Sequence, residues 1–413
     1  MRLLFVVQRY GTDVAGGSEA ACREMATRLA TRDHDVHVLT SCAQSYVDWA
    51  DAYPPGESEL EGVLVHRLSV SHPREARFFG PMNERIVFGR KPVPLSLQRE
   101  WMRMQGPEMP QLAPWLTEHA AGYDAVVFFT YLYYSTWAGL PIAAGLTPTV
   151  LHPTAHDEPP IYLPLFDFTF RLPTALGYLT EEEERFVERR FRMKRPSAVI
   201  GLGVDLDVDT DEADFRRRFK VGDRPYLLYV GRLDPDKGSD ELYGHFTAYK
   251  ARNPGPLALV VVGEPVKPMP AHPDVICTGW VDERIKASAI AGCLSLVQPS
   301  YYESFSLVLA EAWAQSKPAI VQANCEVLAG QARRSAAAIP YSGFAQFEVA
   351  VDMLLNEPRL REEFGERGRR YVERRYQWSS VLDREEHLLR TASHLFRQAT
   401  SSVTSGAQLR ALP

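Results

Sequence analysis

Apolar strands alternate with helical segments along this chain, and the alternation starts twice. In the first forty residues a continuous apolar strand at 3–7 leads into a glycine-bearing loop at 11–17 and then a helix, and another strand follows at 36–39. A strand that is apolar throughout is typical of a parallel sheet, because helices cover both of its faces. Strands that alternate with helices of this length predict a doubly wound α/β sheet.

The same pattern restarts after residue 200. Strands are predicted at 226–230, 257–262 and 295–297, and a helix is predicted at 239–252. One hydrophobic core stops growing at about 250–300 residues. A chain of 413 residues is therefore expected to form two domains. We predict an α/β fold made of two Rossmann-like, doubly wound parallel-sheet domains.

The domain limits follow from this pattern. We place the first domain at 1–203 and the second at 204–378, and we interpret the acidic run 205–214 as the linker between the two halves. Residues 399–413 are predicted to form a flexible tail.

The stretch 125–155 contains no Asp, Glu, Lys or Arg, and it is long enough to suggest a membrane span. Its content favours another structure, because two β-rich runs flank a mixed segment and three prolines interrupt it. We interpret the stretch as a buried strand, a helix and a second buried strand.

Composition excludes several classes of protein. The net charge of -6 gives no whole-chain argument for nucleic acid. Five scattered cysteines without a C-x-x-C pair argue against a disulfide framework or a zinc site, and they favour a reducing compartment. The apolar start of the chain is short and lacks a cleavage-site pattern. We therefore expect a cytoplasmic protein.

The strongest chemical signal is a pair of glutamates, Glu303 and Glu311, directly after the strand at 295–297. At about 1.5 Å per helical residue the pair spans roughly 12 Å, which suits a sugar and a ribose joined by a diphosphate. The N–H groups of Ser306, Leu307 and Val308, at the helix start between them, form an anion site. The alternative is two solvated glutamates that flank a core helix.

The second signal is the loop Gly231-Arg232-Leu233-Asp234-Pro235-Asp236-Lys237-Gly238, which follows a buried strand and precedes a helix. A loop at the carboxyl end of a parallel strand faces the ligand crevice. Arg232 and Lys237 are suited to hold a diphosphate there, and they would stabilise the charge that a leaving nucleotide gains. The alternative is a charged surface turn.

Two weaker signals lie in the first half. The turn Gly16-Gly17-Ser18-Glu19 allows close approach to a phosphate, and Ser18 is the predicted helix N-cap. The turn is not G-x-G-x-x-G, so it can also serve packing alone. His156 follows the strand near residue 151 and would project into the same crevice, although a lone histidine is more often structural.

Metal motifs fail. The run 205–209 imitates the start of a calcium loop, but Thr210 stands where glycine is required. The D-x-D triplet at 234–236 lies inside the proposed phosphate loop. We predict neither a metal nor an organic cofactor.

Residues 73–105 carry seven basic and three acidic side chains, interleaved with aromatic residues and prolines. One interpretation is a surface excursion of the first domain. The other is a lip that binds an acceptor or makes peripheral contact with the inner face of a membrane.

The chain resembles the retaining glycosyltransferases of family 4, which have the GT-B fold, with two domains facing each other across a cleft. The resemblance rests on the loop 231–238, on Gly279-Trp280-Val281 and on the two glutamates of 303–311, in the family's order and spacing. It is looser in the first half, where Gly16-Gly17 and His156 carry it.

The resemblance implies a role for each matching residue. Arg232 and Lys237 bind the donor diphosphate, Glu303 contacts the donor sugar and Glu311 binds the ribose. It further implies that Gly16-Gly17 closes on the diphosphate, that His156 lies near the reacting carbon, and that no metal is needed. The helix 379–398 is expected to cross back onto the first domain. The predicted catalytic set is Glu303, His156, Arg232 and Lys237, and the donor-binding set is Gly16, Gly17, Arg232, Lys237, Glu303, Phe305, Ser306, Leu307 and Glu311.

Some positions depart from the family pattern. Serines stand at 304 and 306 where many members have glycine, and the stretch 324–338 lacks the usual glycine-rich turn. After Gly263 the chain continues Glu264-Pro265-Val266 rather than with a second glycine. The donor nucleotide therefore cannot be carried over from the family.

The predicted activity is retaining transfer of a hexose-type sugar from a nucleotide-diphosphate sugar, by a front-face mechanism in which the leaving phosphate assists. The acceptor, whether a glycan, a lipid-linked molecule or a small molecule, stays open. Alternatives with the same fold are a sugar-nucleotide 2-epimerase, an inverting transferase and an inactive scaffold subunit. A dinucleotide oxidoreductase is disfavoured because its fingerprint is missing.

Overall fold

The computed structural model describes residues 1–14, 16–233, 237–264 and 270–409. The chain forms two compact units. Unit 1 comprises Met1–Ile200 together with Leu382–Pro413, and unit 2 comprises Gly201–Val381. Each unit contains one β-sheet with its own helices.

Unit 1 is built on an eight-stranded sheet. Its strands are β1 (Arg2–Val6), β2 (Asp35–Ser41), β3 (Gly56–Leu60), β4 (Val63–Leu68), β5 (Ala125–Phe129), β6 (Thr149–His152), β7 (Ala175–Tyr178) and β8 (Ser197–Val199). In space they follow the order β3-β4-β2-β1-β5-β6-β7-β8, and only β3 runs antiparallel to its neighbour. The order runs outward from β1 in both directions, as in a doubly wound sheet.

Six helices connect these strands. They are α1 (Gly17–Ala30), α2 (Ala76–Val87), α3 (Leu95–Gln105), α4 (Leu112–His119), α5 (Tyr134–Ala143) and α6 (Glu181–Phe191). The charge-free stretch 125–155 forms β5, α5 and β6, so the prediction of strand, helix and strand is confirmed. Within the described residues, no helix is long and apolar enough to cross a membrane.

Unit 2 is built on a six-stranded sheet that is parallel throughout. Its strands are β9 (Tyr226–Val230), β10 (Ala258–Val262), β11 (Val275–Gly279), β12 (Ser295–Gln298), β13 (Ala319–Gln322) and β14 (Ala338–Tyr341). They follow the order β11-β10-β9-β12-β13-β14, so the direction of winding reverses between β9 and β12. Its helices are α7 (Glu212–Arg218), α8 (Ser239–Arg252), α9 (Glu283–Ala291), α10 (Leu307–Ala314), α11 (Glu326–Ser335), α12 (Phe344–Asn356) and α13 (Pro358–Arg375).

The last helix, α14 (Trp378–Leu409), starts in unit 2 and continues in unit 1. In unit 1, Oε1 of Glu385 lies 3.1 Å from Nε2 of His152, and both side chains are fully buried. The helix also includes residues 399–409 of the segment that was expected to be a tail, and residues 410–413 lie outside the described part of the chain.

Two local predictions are wrong. Helix α1 begins at Gly17 with Gly16 as its N-cap, and the hydroxyl of Ser18 donates to Glu19 instead of capping the helix. The acidic run 205–214 is not a linker but belongs to unit 2. It is bound there, because Arg369 donates to the carbonyl of Leu206 at 2.7 Å and pairs with Asp207 at 3.2 Å.

Two helix glycines test the packing of unit 2. A Cβ atom at Gly365 in α13 would overlap the carbonyl oxygen of Ser316, whereas a Cβ atom at Gly244 in α8 meets nothing within 4 Å. Gly365→Ala should therefore lower the free energy of unfolding by about 1–3 kcal/mol. The control Gly244→Ala should raise it by roughly 0.5–1 kcal/mol through helix propensity. Denaturant unfolding of both variants measures these changes, and equal effects would contradict the packing.

Candidate functional site

The two predicted loops of unit 2 follow neighbouring strands. The loop 231–238 comes after β9, and the loop 299–306 comes after β12, at the point where the strand order reverses. Ligands of open α/β sheets bind outside the carboxyl ends of the strands at such a point. Nζ of Lys237 lies 2.9 Å from Oε1 of Glu303 and donates a second bond, of 3.2 Å, to the carbonyl of Tyr302. The fold therefore brings the two motifs into direct contact.

Glycines allow this close approach of backbones. Gly238 has a φ of 72°, and a Cβ atom there would overlap the carbonyl oxygen of Pro299. A Cβ atom at Gly263 would overlap the carbonyl oxygen of Gly231 in the same way. Any larger residue at Gly238 would push the Lys237 loop away from the end of β12.

Arg232 lies on the loop after β9. Its side chain is exposed, and its carbonyl accepts a hydrogen bond of 2.7 Å from the hydroxyl of Tyr229. The D-x-D triplet at 234–236 lies outside the described residues. Among the residues that are described, no group of three or more His, Cys, Asp or Glu side chains is arranged to hold a metal ion.

The helix that carries Glu311 begins later than the predicted spacing of the two glutamates assumed. Helix α10 begins only at Leu307, after Ser306 adopts a left-handed conformation with φ of 70°. Glu311 is therefore the fifth residue of the helix, about one turn from its start. Glu303 lies in the loop before the helix, so the helical rise does not set the separation of the two glutamates.

Glu311 has a partner that the sequence did not indicate. Nζ of Lys286, on α9, lies 2.9 Å from Oε1 of Glu311 and 2.6 Å from Glu283. The second oxygen of Glu311, Oε2, is buried and has no hydrogen-bond partner within the described residues. Lys286 therefore holds one oxygen of the Glu311 carboxylate, and the other oxygen has an unsatisfied acceptor position among the described residues.

The two charges of this pair support each other. Burial raises the pKa of Glu311 above its ordinary value, although Lys286 acts in the opposite direction. Burial also disfavours the ammonium group of Lys286, but the carboxylates of Glu311 and Glu283 outweigh it and raise the pKa of the lysine. Lys286 is therefore charged at neutral pH. No local sequence signal identifies it, since the contact joins two separate helices.

Two glutamine side chains hold the turn before α10 by hydrogen bonds. The amide of Gln298 donates to the hydroxyl of Ser306 at 2.9 Å, and the amide of Gln331 donates to the carbonyl of Phe305. The ring of Phe305 is buried against Tyr376. These contacts fix the direction of the first turn of α10. The N–H groups of this turn have no acceptor within the helix itself.

In unit 1, the glycine turn lies over a buried ion pair. Nε of Arg9 donates to Oε1 of Glu19 at 2.9 Å, and their side chains are only 6% and 5% exposed. A Cβ atom at Gly16 would overlap the carboxylate of Glu19, whereas a Cβ atom at Gly17 meets nothing within 4 Å. Gly16 is thus required by packing, and Gly17 borders open space. No local sequence pattern indicates that Arg9 is the partner of Glu19.

His156 lies in the loop that follows β6. Its Nδ1 atom is 3.7 Å from Oε1 of Glu158, and this oxygen also accepts a hydrogen bond of 2.7 Å from the hydroxyl of Tyr131. The side chain of His156 is 24% exposed. A buried tyrosine therefore fixes the carboxylate next to the histidine.

A second carboxylate, Glu183, fixes the backbone of this loop. Its two oxygens accept hydrogen bonds from the N–H groups of Ala155 at 2.6 Å and Leu179 at 2.7 Å. Burial raises the pKa of Glu183 to about 8, although the backbone donors act against this shift. The pattern Thr180-x-x-Glu183 is typical of a helix capping box. It does not reveal the long-range contact with Ala155.

The segment 73–105 consists mainly of α2 and α3. Phe78 and Phe88 are 54% and 56% exposed, whereas Trp101 is buried in the core of unit 1. The segment is therefore partly anchored and partly on the surface. Contact with a membrane stays a prediction.

Comparison with known proteins identifies a related family. Residues 210–371 match the family model for glycosyl transferases group 1. An alpha-D-kanosaminyltransferase of Streptomyces kanamyceticus is 26% identical in an alignment 291 positions long, gaps included, that covers 64% of this chain and 74% of that protein. A glycogen synthase of Mycobacterium tuberculosis is 25% identical in an alignment 415 positions long, gaps included, that covers 92% of each chain.

Solved structures share the fold over nearly the whole chain. A sucrose-phosphate synthase from Thermosynechococcus elongatus superimposes with a TM-score of 0.69 at 18% identity, covering 97% of this chain and 99% of that chain. The Anabaena protein HepE in complex with UDP-glucose gives a TM-score of 0.64 at 14% identity, covering 97% and 100%. The predicted α/β fold with two parallel sheets is confirmed.

The Lys286–Glu311 pair can be tested by stability. Lys286→Met should lower the free energy of unfolding by about 3 kcal/mol, because it leaves a mostly buried carboxylate without its cation. The double variant Lys286→Met/Glu311→Gln should regain most of that loss, since neither charge then remains. Denaturant unfolding of both single variants and the double variant gives the coupling energy, and strictly additive losses would contradict the ion pair.

Proposed function

We propose that this chain, whose residues 210–371 match the model for glycosyl transferases group 1, transfers a hexose-type sugar from a nucleoside-diphosphate sugar to an acceptor hydroxyl. The proposal rests chiefly on the contact of Lys237 with Glu303. That contact joins the cationic loop after β9 to the glutamate-bearing loop after β12, at the carboxyl edge of the unit 2 sheet.

Arg232 and Lys237 would hold the donor diphosphate. Lys237 donates to Glu303 and Tyr302 among the described residues, which leaves one of its three N–H groups for a phosphate oxygen. The nucleoside diphosphate gains negative charge as its bond to the sugar breaks. Cations already in place therefore stabilise the transition state more than the bound donor.

The two glutamates would bind the two ends of the donor. Oε2 of Glu311 is buried without a partner in the described structure, while Lys286 holds its other oxygen. Such an oxygen accepts a hydrogen bond from a ribose hydroxyl. Glu303, held by Lys237, would accept from a hydroxyl of the sugar that is transferred.

We further propose retention of configuration, as in family 4. Glu303 is already bound to Lys237, which suits orientation of the sugar better than nucleophilic attack. The acceptor oxygen would form its bond to the anomeric carbon on the face that the diphosphate leaves, and its proton would pass to a phosphate oxygen. In this proposal the two cations supply the charge that a metal ion supplies elsewhere, and roles for Gly16, Gly17 and His156 in donor binding stay predictions.

The donor nucleotide can be found by a thermal-shift screen. The Anabaena protein HepE binds UDP and UDP-glucose, which makes UDP-sugars the first candidates beside GDP-, ADP- and TDP-sugars. Ligands that bind the folded state raise the melting temperature by mass action. A chain that no nucleotide sugar stabilises would be better explained as an inactive scaffold subunit.

Substitutions at the two ends of the donor should differ in their kinetics. Arg232→Ala and Lys237→Ala should each lower kcat by about 10²–10³-fold, because their contacts strengthen as charge develops. Glu311→Ala should mainly raise the donor KM, since the ribose is remote from the breaking bond. Arg252→Ala, at an exposed ion pair on α8, is the control. Wild-type kcat and KM for Arg232→Ala, Lys237→Ala and Glu311→Ala would contradict the donor site.

Turnover should survive EDTA, and the product should keep the anomeric configuration of the donor. NMR of the product formed with and without chelator measures both properties. Restoration of a chelated enzyme by Mg²⁺ or Mn²⁺ would refute metal independence. An inverted product would identify an inverting transferase, and a donor altered at C2 without transfer would identify an epimerase.

A further inference from the structure

We propose that Thr130 and Thr154 are positioning residues, which set the place of His156 for the sugar transfer proposed above. Both threonines have a left-handed backbone conformation, with φ of 67° and 49°. The hydroxyl of Thr154 donates a hydrogen bond of 3.1 Å to the hydroxyl of Thr130. The role in catalysis rests on the proposed function, whereas the geometry of the loop is a property of unit 1 alone.

The ends of helices and hairpins do not account for these two conformations. Among the described residues, ten that are not glycine have a positive φ, and only the two threonines are β-branched. A β-branched side chain makes this backbone region especially unfavourable. Six of the other eight lie within three residues of a helix end or in the β3–β4 hairpin turn, where a left-handed residue is ordinary: Asp33, Glu61, Arg192, Lys220, Ser316 and Ala336.

The two threonines lie at the edge of the sheet where ligands of α/β proteins bind. Thr130 directly follows β5, and Thr154 lies two residues after the end of β6. These strands are parallel neighbours, so both threonines are at the carboxyl edge of the sheet. Backbone strain of this kind persists only where the surroundings hold it, and it clusters at functional sites.

The ends of the two strands are joined three times. The N–H group of Thr130 donates to the carbonyl of His152 at 2.9 Å, and that of Tyr131 donates to the carbonyl of Pro153 at 3.1 Å. The bond between the threonine hydroxyls is the third connection. The backbone before Thr154 is therefore held against the end of β5, and its left-handed turn decides where the chain goes next.

The residues after Thr154 are held as well. The N–H group of Ala155 donates to the buried carboxylate of Glu183 at 2.6 Å. His156 comes next, with its ring 3.7 Å from Glu158 and its side chain 24% exposed. Fixed backbone on the preceding residues leaves the imidazole few positions to search. Glycine at position 154 would relieve the unfavourable φ, but it would also make many other conformations accessible.

Thr154→Gly separates positioning from stability. Because glycine tolerates a positive φ, this variant should melt at least as high as Thr154→Ala, which also lacks the hydroxyl. Its kcat should nevertheless fall about tenfold below wild type, since His156 is no longer held in place, while the donor KM changes little. Thr154→Ser keeps the hydroxyl and should recover most of the lost turnover. Arg192→Gly, at an exposed left-handed residue that ends α6, is the control and should keep wild-type kcat.

A double variant tests whether Thr154 acts through His156. In the His156→Ala background, Thr154→Gly should cause no further loss of kcat, because residues that act through one another are not additive. Turnover is measured with UDP-glucose, or with the nucleotide sugar that the thermal-shift screen selects. Equal losses in both backgrounds, wild-type kcat for Thr154→Gly, or wild-type kcat for His156→Ala would each overturn the inference.

Hydrogen exchange of the peptide 152–158 gives a measurement that needs no substrate. Exchange should be faster in Thr154→Gly than in wild type and Thr154→Ser, because the freed loop opens more often. Unchanged exchange would overturn the inference whatever the activity. Faster exchange in a chain whose wild type turns over no nucleotide sugar would refute the proposed transfer and the part of the threonines in it, while the rigidity of the loop would stand.

Discussion

Parallel strands can be joined only by crossover connections, and this constraint places the loops that follow the strands at one edge of each sheet. In unit 2 the winding reverses between β9 and β12, so the loops after these two strands become neighbours. The contact of Lys237 with Glu303 is the direct result. In unit 1 the same rule places the glycine turn after β1 and the His156 loop after β6 at one edge of the sheet.

Two ion pairs near these edges are largely removed from water. Arg9 binds Glu19 beneath the glycine turn, and Lys286 binds Glu311 beside α10. A buried charge without a partner costs several kcal/mol, so such pairs fix both side chains in one geometry. They also leave particular atoms available. Among the residues that the structure describes, Oε2 of Glu311 keeps an unsatisfied acceptor position, because Lys286 binds only Oε1.

Ordered loops give the proposed chemistry its geometry. Glu183 and Tyr131 hold the two sides of the His156 loop, and Gln298 and Gln331 hold the turn before α10. Electrostatic stabilisation of a leaving group depends on donors that are already in position, because no reorganisation is then required during the reaction. The supporting residues thus matter to the proposed transfer although they need not touch the donor.

The sequence by itself determined the fold class, the two sheets and the two loops of unit 2, because hydrophobic periodicity and glycine placement are local properties. It misplaced the starts of two helices, α1 with its predicted N-cap at Ser18 and α10 ahead of Glu311, since a helix start depends on the backbone of the preceding turn. Only the tertiary structure decided the partners, such as Lys286 for Glu311 and Glu183 for Ala155. These contacts join residues that are 25 and 28 positions apart, and no local pattern encodes which distant side chain packing will bring within reach.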